Sequence, residues 1–179
     1  MATFEHTTEI GRPVDEVFAF LAEPANLPRW QPSLLDVRPH RRGPLRPGVE
    51  VTEVRRFLGR VMETTWVCTE HRPSRRSVIE SDHGPVPFLG TWELEPAGPG
   101  TRFTWTLETG GLAARLASAV AAGIARQELV ANSLRLKELL KIIGYDLGTG
   151  GTARLDRAAA RSGDHGRVLR DLGLSRRRG

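Results

Sequence analysis

Six segments between Leu34 and Thr109 alternate apolar and polar residues, and one long segment with helical spacing follows them. Alternation with a period of two is typical of strands that bury one face. The candidate strands span about 34–39, 48–58, 61–71, 76–82, 87–95 and 102–109, with Gly/Pro turns between them. Strands joined by short turns pair antiparallel, so the pattern predicts one antiparallel sheet with an apolar, aromatic face and a wet face.

Helical segments flank these strands. Residues 2–10 alternate as a further strand, and Pro13 then favours a short amphipathic helix over about 13–22, with one more helical turn near 26–30. After Gly110-Gly111, a long helix is predicted from Leu112 to about Ile143. It carries two apolar stripes, one of Leu112, Leu116, Val120, Gly123, Gln127, Val130 and Leu134, and one of Leu129, Leu136, Leu140 and Ile143.

The positive charge of the chain is concentrated in its last 36 residues. The formal net charge is +5, and the segment from Gly144 to Gly179 contributes eight Arg and four Asp. Residues 1–143 therefore carry 18 basic and 17 acidic groups (26 − 8 and 21 − 4), which is nearly neutral. We expect a domain over 1–143, no nucleic-acid binding by that body, and a basic Gly/Arg-rich tail over 144–179 that is loosely docked or disordered.

Several classes of protein are not expected. No apolar run approaches the roughly 20 residues of a membrane span, and the first residues lack the pattern of a signal peptide, so we expect a cytoplasmic protein. Cys68 is the one cysteine, which excludes an internal disulfide. The histidines have no metal-binding spacing and no phosphate-cradling Gly-rich loop precedes a helix, so neither a metal nor another cofactor is expected.

Two motifs carry a resemblance to a known family. The sequence PVDEVFAFL at 13–21, followed by PANLPRW at 24–30, resembles the opening of the START-like polyketide cyclase/dehydrase and lipid-transport superfamily (SRPBCC), and the GTRFTW hairpin at 100–105 is similar to its penultimate turn. The resemblance covers about residues 2–143. It implies an α+β helix-grip fold. In this fold a curved antiparallel sheet of six or seven strands wraps around a long C-terminal helix, and an apolar cavity lies between the sheet and the helix.

The residues suggest where such a cavity would lie. Trp66, Trp92 and Trp105 occupy inward positions of the strands, and small residues on the long helix leave space opposite them. The predicted ligand-binding residues are Trp30, Met62, Trp66, Trp92, Phe103, Trp105, Leu116, Ala119, Gly123 and Gln127. The alternative is that the aromatic side chains simply fill the core.

The catalytic signal is weaker. Glu53 and Arg55 alternate with Arg56 on one strand, and an inward-facing member of this group would orient a carbonyl or act as a base. A solvated strand face or a cross-strand ion pair is the more common arrangement. We therefore predict a domain that binds a hydrophobic small molecule (a lipid, a polyketide or an aromatic compound). The alternative is a polyketide cyclase or dehydratase that uses the same cavity. A third interpretation is an interaction module whose apolar groove receives a partner protein.

Overall fold

The structure is a computed structural model that describes residues 2–82, 87–109 and 119–143, with the side chains of 119–121 excepted. Seven strands form the sheet: β1 (Ala2–Ile10), β2 (Leu34–Pro39), β3 (Glu50–Phe57), β4 (Arg60–Arg72), β5 (Arg76–Ser81), β6 (Phe88–Ala97) and β7 (Gly100–Thr109). The α-helices are α1 (Val14–Ala22), α2 (Leu27–Trp30) and α3 (Ala119–Ile142), and a 3-10 turn at Pro24–Asn26 precedes α2.

The strands form one sheet in the order β1-β7-β6-β5-β4-β3-β2, and every neighbouring pair is antiparallel. The sheet is curved, and with the C-terminal helix it forms an α+β helix-grip fold. The predicted fold class is confirmed. The six strands predicted between Leu34 and Thr109 are all present, and their ends differ from the predicted ends by two residues or fewer.

Two hairpins depend on residues with positive φ. Leu58 (φ 51°) and Gly59 (φ 75°) connect β3 to β4, and Gly98 (φ 59°) lies in the turn between β6 and β7. Two consecutive residues with φ above zero match the twist of the strands that they join, which is why such turns favour Gly and Asn. Leu58 is therefore an unusual residue for its position.

Arg12 fixes the end of α3 against the first corner of the fold. Its Nε donates to the Leu140 carbonyl at 2.9 Å and a terminal nitrogen donates to the Ile143 carbonyl at 2.8 Å. The last carbonyls of a helix have no partner within the helix, and a cation there also opposes the negative end of its dipole. The turn between β1 and α1 thus caps the helix at the end of the predicted domain.

One of the two predicted helix stripes is buried. Leu129, Leu136 and Leu140 are almost fully buried, as predicted for the second stripe. The first stripe is a wrong prediction in the described part of the helix, because Gly123, Gln127 and Leu134 are exposed. Leu112 and Leu116 lie outside the described residues.

The described residues contain no helix that is long and apolar enough to cross a membrane. By its internal contacts the chain divides into Met1–Ile143 and Gly144–Gly179, and the latter segment lies outside the described residues. The proposed role of the tail therefore stays a prediction.

Candidate ligand cavity

A cavity of about 160 Å³ lies between the sheet and α3. Its walls come from the inward faces of β3 to β7, from α2 and the residue after it, and from one face of α3. Most of the wall is apolar, and its apolar side chains are Leu27, Phe57, Met62, Trp66, Ile79, Phe88, Trp92, Trp105, Leu107, Ala125 and Leu129. The polar side chains are Gln31, Glu53, Arg55, Thr64, Thr109, Glu128 and Asn132.

Trp30, Trp92 and Trp105 form one aromatic cluster, of which Trp92 and Trp105 line the cavity. Trp92 and Trp105 are directly opposite each other on β6 and β7, and both contact the cavity. Trp30, at the end of α2, packs edge-on against them with ring centroids 6.2 Å from Trp92 and 5.2 Å from Trp105. Such tilted pairs are favourable because the positive ring edge meets the negative ring face. Trp30 is fully buried behind the wall.

A hydrogen-bonded cluster of polar groups interrupts the apolar wall. Glu53 is almost fully buried and accepts from Arg55 Nε at 2.9 Å and from Trp66 Nε1 at 3.1 Å. Arg55 also donates to Gln31 Oε1 at 3.1 Å. Both carboxylate oxygens are therefore occupied, and two partners hold the guanidinium in one orientation. Arg55 retains N–H groups beyond these two bonds, because a guanidinium has five donors.

Glu128 brings a second carboxyl to the cavity from α3. Burial raises the pKa of this carboxyl, and the positive charge of Arg55 partly opposes the shift. Among the ion pairs of the described residues, none joins Glu128 to Arg55. Glu128 therefore has no salt-bridge partner among the described residues. It lies on the cavity wall opposite the guanidinium of Arg55, whose orientation is fixed.

Trp92 leaves one donor without a partner. Its side chain is 3% exposed, and no group among the described residues accepts a hydrogen bond from its buried Nε1. A buried N–H without a partner is costly, and natural proteins rarely leave one so. The Nε1 of Trp30, behind the cavity wall, is likewise buried without a partner among the described residues.

The structure brings four of the predicted ligand-binding residues to the cavity: Met62, Trp66, Trp92 and Trp105. Trp30 and Phe103 are fully buried but are not part of the cavity wall. Gly123 and Gln127 are on the exposed side of α3, and no atom of the described residues lies within 4 Å of a Cβ built at Gly123. Leu116 lies outside the described residues, as does the side chain of Ala119.

The cavity face of α3 is offset from the predicted one. Ala125, Glu128, Leu129 and Asn132 follow the spacing of one helix face and contact the cavity. The signal was present in the sequence, because extending the Leu129 stripe toward the N-terminus reaches Ala125. Glu128 and Asn132 obscured it, since polar residues argue against a buried face.

In the charged β3 segment, Glu53 and Arg55 face the cavity, whereas Arg56 is exposed. Glu53 and Arg55 form an ion pair within β3, and not the cross-strand pair of the alternative interpretation. The described residues contain no group of three or more His, Cys, Asp or Glu side chains that would hold a metal ion. Burial raises the pKa of the Cys68 thiol to about 11, so Cys68 is a poor nucleophile.

The family model "Polyketide cyclase / dehydrase and lipid transport" matches residues 1–141. The chain therefore belongs to this family, whose description names proteins that act on or carry hydrophobic small molecules. The resemblance of the 13–30 and 100–105 motifs is thereby confirmed. No curated protein matches the chain in sequence.

Solved structures share the fold at low sequence identity. The protein TTHA0849 from Thermus thermophilus has a TM-score of 0.67 at 16% identity, covering 78% of this chain and 97% of its own. The Zhui aromatase/cyclase from a Streptomyces species has a TM-score of 0.66 at 18% identity, covering 78% and 93%. The protein NE0264 from Nitrosomonas europaea has a TM-score of 0.63 at 25% identity, covering 78% and 94%.

Proposed function

We propose that the domain binds a hydrophobic small molecule in the central cavity, with an oxygen-bearing end of the ligand toward Arg55 and Glu128. The observation that carries this proposal is the composition of the wall: aromatic and aliphatic side chains surround a single fixed polar cluster. Ligand sites are typically apolar with a few well-placed polar groups. The remaining N–H groups of Arg55 support an acceptor oxygen on the ligand.

The volume narrows the class of ligand. A cavity of about 160 Å³ is below the roughly 300–1,000 Å³ of most ligand pockets and near the roughly 150 Å³ that holds benzene in an engineered protein. Of a lipid, a polyketide and an aromatic compound, the volume therefore favours a single-ring aromatic compound. For a larger ligand it favours burial of one ring-sized part.

The test uses 4-fluorophenol and fluorobenzene as probes, followed by ¹⁹F NMR. We expect both to bind, with 4-fluorophenol tighter by about three- to tenfold, because one net hydrogen bond is worth roughly 0.5–1.5 kcal/mol. Ala125→Leu should abolish binding of both probes by filling the cavity beside α3. Ala131→Leu is the matched control, because Ala131 is exposed on the same helix.

A folded Ala125→Leu protein that binds both probes normally would refute the proposed site. Overpacking costs about 1–3 kcal/mol, so a thermal melt must accompany the binding data. If Ala125→Leu does not fold, Ala125→Val makes the same test with less added volume. Gly123→Leu should leave binding unchanged, because its side chain would enter open space.

A second candidate function is that of a polyketide cyclase or dehydratase, and one observation favours it: Glu128 and Arg55 face the same cavity from opposite walls. In the first step, a C–H bond next to a ligand carbonyl breaks and the Glu128 carboxylate takes the proton. The electron pair moves onto the carbonyl oxygen, and Arg55 N–H groups stabilise the enolate. In a dehydratase the enolate would expel a β-hydroxyl, which leaves as water with the proton from Glu128.

Proton exchange tests this candidate directly. Phenylacetone in D₂O, monitored by ¹H NMR, should lose its α-proton signals faster in the presence of the protein. Glu128→Gln should lower this rate by about 10²-fold or more, the usual contribution of a general base. Glu138→Gln is the matched control, since Glu138 is exposed on α3 and contacts Lys141. Equal rates in the two variants would exclude Glu128 as the base.

A further inference from the structure

The tip of the β3–β4 hairpin presents large apolar side chains to solvent. Leu58 is 52% exposed and Val61 is 59% exposed, and both rank among the few exposed large apolar residues of the described chain. They lie three positions apart around the two-residue turn, so they occupy one end of the sheet. Single exposed apolar residues are common, so exposure alone does not identify this pair as a binding surface.

The backbone of Leu58 is also strained. Leu58 has φ 51°, a conformation that costs a residue with a Cβ about 1–2 kcal/mol and that Gly or Asn adopts more readily. A turn of this kind is ordinarily built from Asn-Gly or Gly-Gly. Here a leucine occupies the strained position and is half exposed, so the strain does not serve the packing of the core.

Two arginines lie beside these apolar residues. Arg56 is opposite Val61 in the register and Arg60 is opposite Phe57, and both arginines are exposed. Neither forms an ion pair with any residue that the structure describes. The acidic residues Asp36 and Glu63, both opposite Val54 on β3, contact Arg38. Two uncompensated guanidinium groups thus flank the apolar tip.

The opposite face of the same hairpin belongs to the cavity. Phe57 and Met62 alternate with the exposed residues and contact the cavity wall. The tip is therefore connected through β3 and β4 to the site proposed for an apolar ligand.

We propose that the tip formed by Arg56, Leu58, Arg60 and Val61 docks on the surface of a membrane that contains anionic phospholipids. Leucine and valine side chains enter the boundary between headgroups and acyl chains, and guanidinium groups bind phosphates. An apolar surface without charge would equally suit a protein groove, but two flanking arginines without acidic partners favour a phosphate-rich surface. Docking is independent of which ligand the cavity takes, and it places an apolar ligand next to a reservoir.

The basic segment 144–179 would also bind anionic vesicles, so the experiment must report on the hairpin itself. Leu58→Cys in the full chain is labelled with the environment-sensitive fluorophore NBD, which Cys68 should not take up because it is fully buried. Unmutated protein treated with NBD is the blank. The matched site is Glu95→Cys, exposed on β6.

On vesicles of phosphatidylcholine mixed with phosphatidylserine, we expect a blue shift and a rise in emission at position 58 and neither at position 95. Phosphatidylcholine vesicles alone should give a smaller change at position 58. An aqueous spectrum at position 58 while the protein sediments with the vesicles would assign binding to another surface and overturn the proposal. No sedimentation at all would overturn it as well, and would favour a protein partner.

Vesicle sedimentation of two double variants separates the hairpin charges from the rest. Arg56→Gln with Arg60→Gln should weaken binding by about fivefold for each charge removed, since a basic residue near such a surface is worth about 1 kcal/mol. Arg41→Gln with Arg42→Gln removes two exposed charges beyond the far end of β2 and is the control. An equal loss in both double variants would mean that only net charge matters, which contradicts a docking tip.

Discussion

Glu53 is the residue on which the polar cluster depends, and Glu53→Gln is the sharpest test of that arrangement. The substitution keeps the size and shape of the side chain, and it keeps one oxygen that accepts hydrogen bonds. It replaces the other oxygen with an NH₂ group. Glu53 accepts from Arg55 at 2.9 Å and Trp66 at 3.1 Å through different oxygens, so one of the two donors must lose its partner.

The size of the effect follows from burial. A buried donor without a partner costs about 1–3 kcal/mol. Breaking a fully buried ion pair costs about 3–5 kcal/mol, but the Arg55 side chain is 24% exposed and recovers part of its solvation. We therefore expect Glu53→Gln to lower the free energy of unfolding by about 2 kcal/mol.

Urea unfolding followed by tryptophan fluorescence measures this loss, because all four tryptophans are buried in the described core. With a slope of about 1–3 kcal/mol/M, the midpoint should fall by roughly 1 M while the slope stays constant. Glu63→Gln is the control: Glu63 is on the neighbouring strand, is mostly exposed and contacts Arg38, so we expect a loss below about 1 kcal/mol. Equal midpoints for the two variants would refute the claim that Glu53 holds the cluster together.

Three further predictions concern single residues. Gly100→Ala should destabilise the fold more than Gly90→Ala, by about 1–3 kcal/mol in a urea titration. The Cβ of an alanine at position 100 would be 2.5 Å from the Ile10 backbone carbonyl oxygen, whereas a Cβ at position 90 would contact the side chain of Ile79. Leu58→Asn should raise the free energy of unfolding by about 1 kcal/mol, since Asn adopts positive φ more readily; an unchanged midpoint would contradict the strain at Leu58. Burial raises the pKa of Glu128, so the folded state favours its protonated form. The stability of the unmutated protein relative to Glu128→Gln should therefore be greatest below the pKa of Glu128 in the unfolded chain. It should fall as the pH rises through the pKa of Glu128 in the folded protein. Thermal melts of both proteins across this range provide the measurement, and parallel curves would argue against a buried carboxyl.

The strands and their inward faces could be predicted from the sequence because one physical rule fixes both. In a strand every second side chain points to the same face, so the tryptophans at 66, 92 and 105 had to share the apolar face once the strands were identified. Turns with Gly or Pro then limited where the strands ended. The cavity wall contributed by the sheet follows from this alternation.

The face of α3 could not be predicted in the same way. Two stripes of the helix have similar apolar content, and the one that faces the sheet includes Glu128 and Asn132. Their burial depends on Arg55 and on open cavity space, which come from residues more than 70 positions earlier in the chain. A hydrophobic pattern treats such residues as solvent-facing, so it favoured the face with Gly123 and Gln127. Tertiary context determines this part of the site.

The β3–β4 hairpin contributes both to the proposed ligand cavity and to the proposed membrane-docking tip, because successive side chains of a strand point to opposite faces. Phe57 lines the cavity nearest the turn, Arg55 and Met62 follow on opposite strands, and Glu53 lies farther from the tip. At the tip itself, Leu58 and Val61 lie close to Arg56 on the outward face and to Arg60, which is opposite Phe57. A ligand that entered the cavity from this end would contact Phe57 before the guanidinium of Arg55. This arrangement favours a ligand with an apolar body and a single polar end, because Arg55 is a hydrogen-bonding partner within a mostly apolar wall.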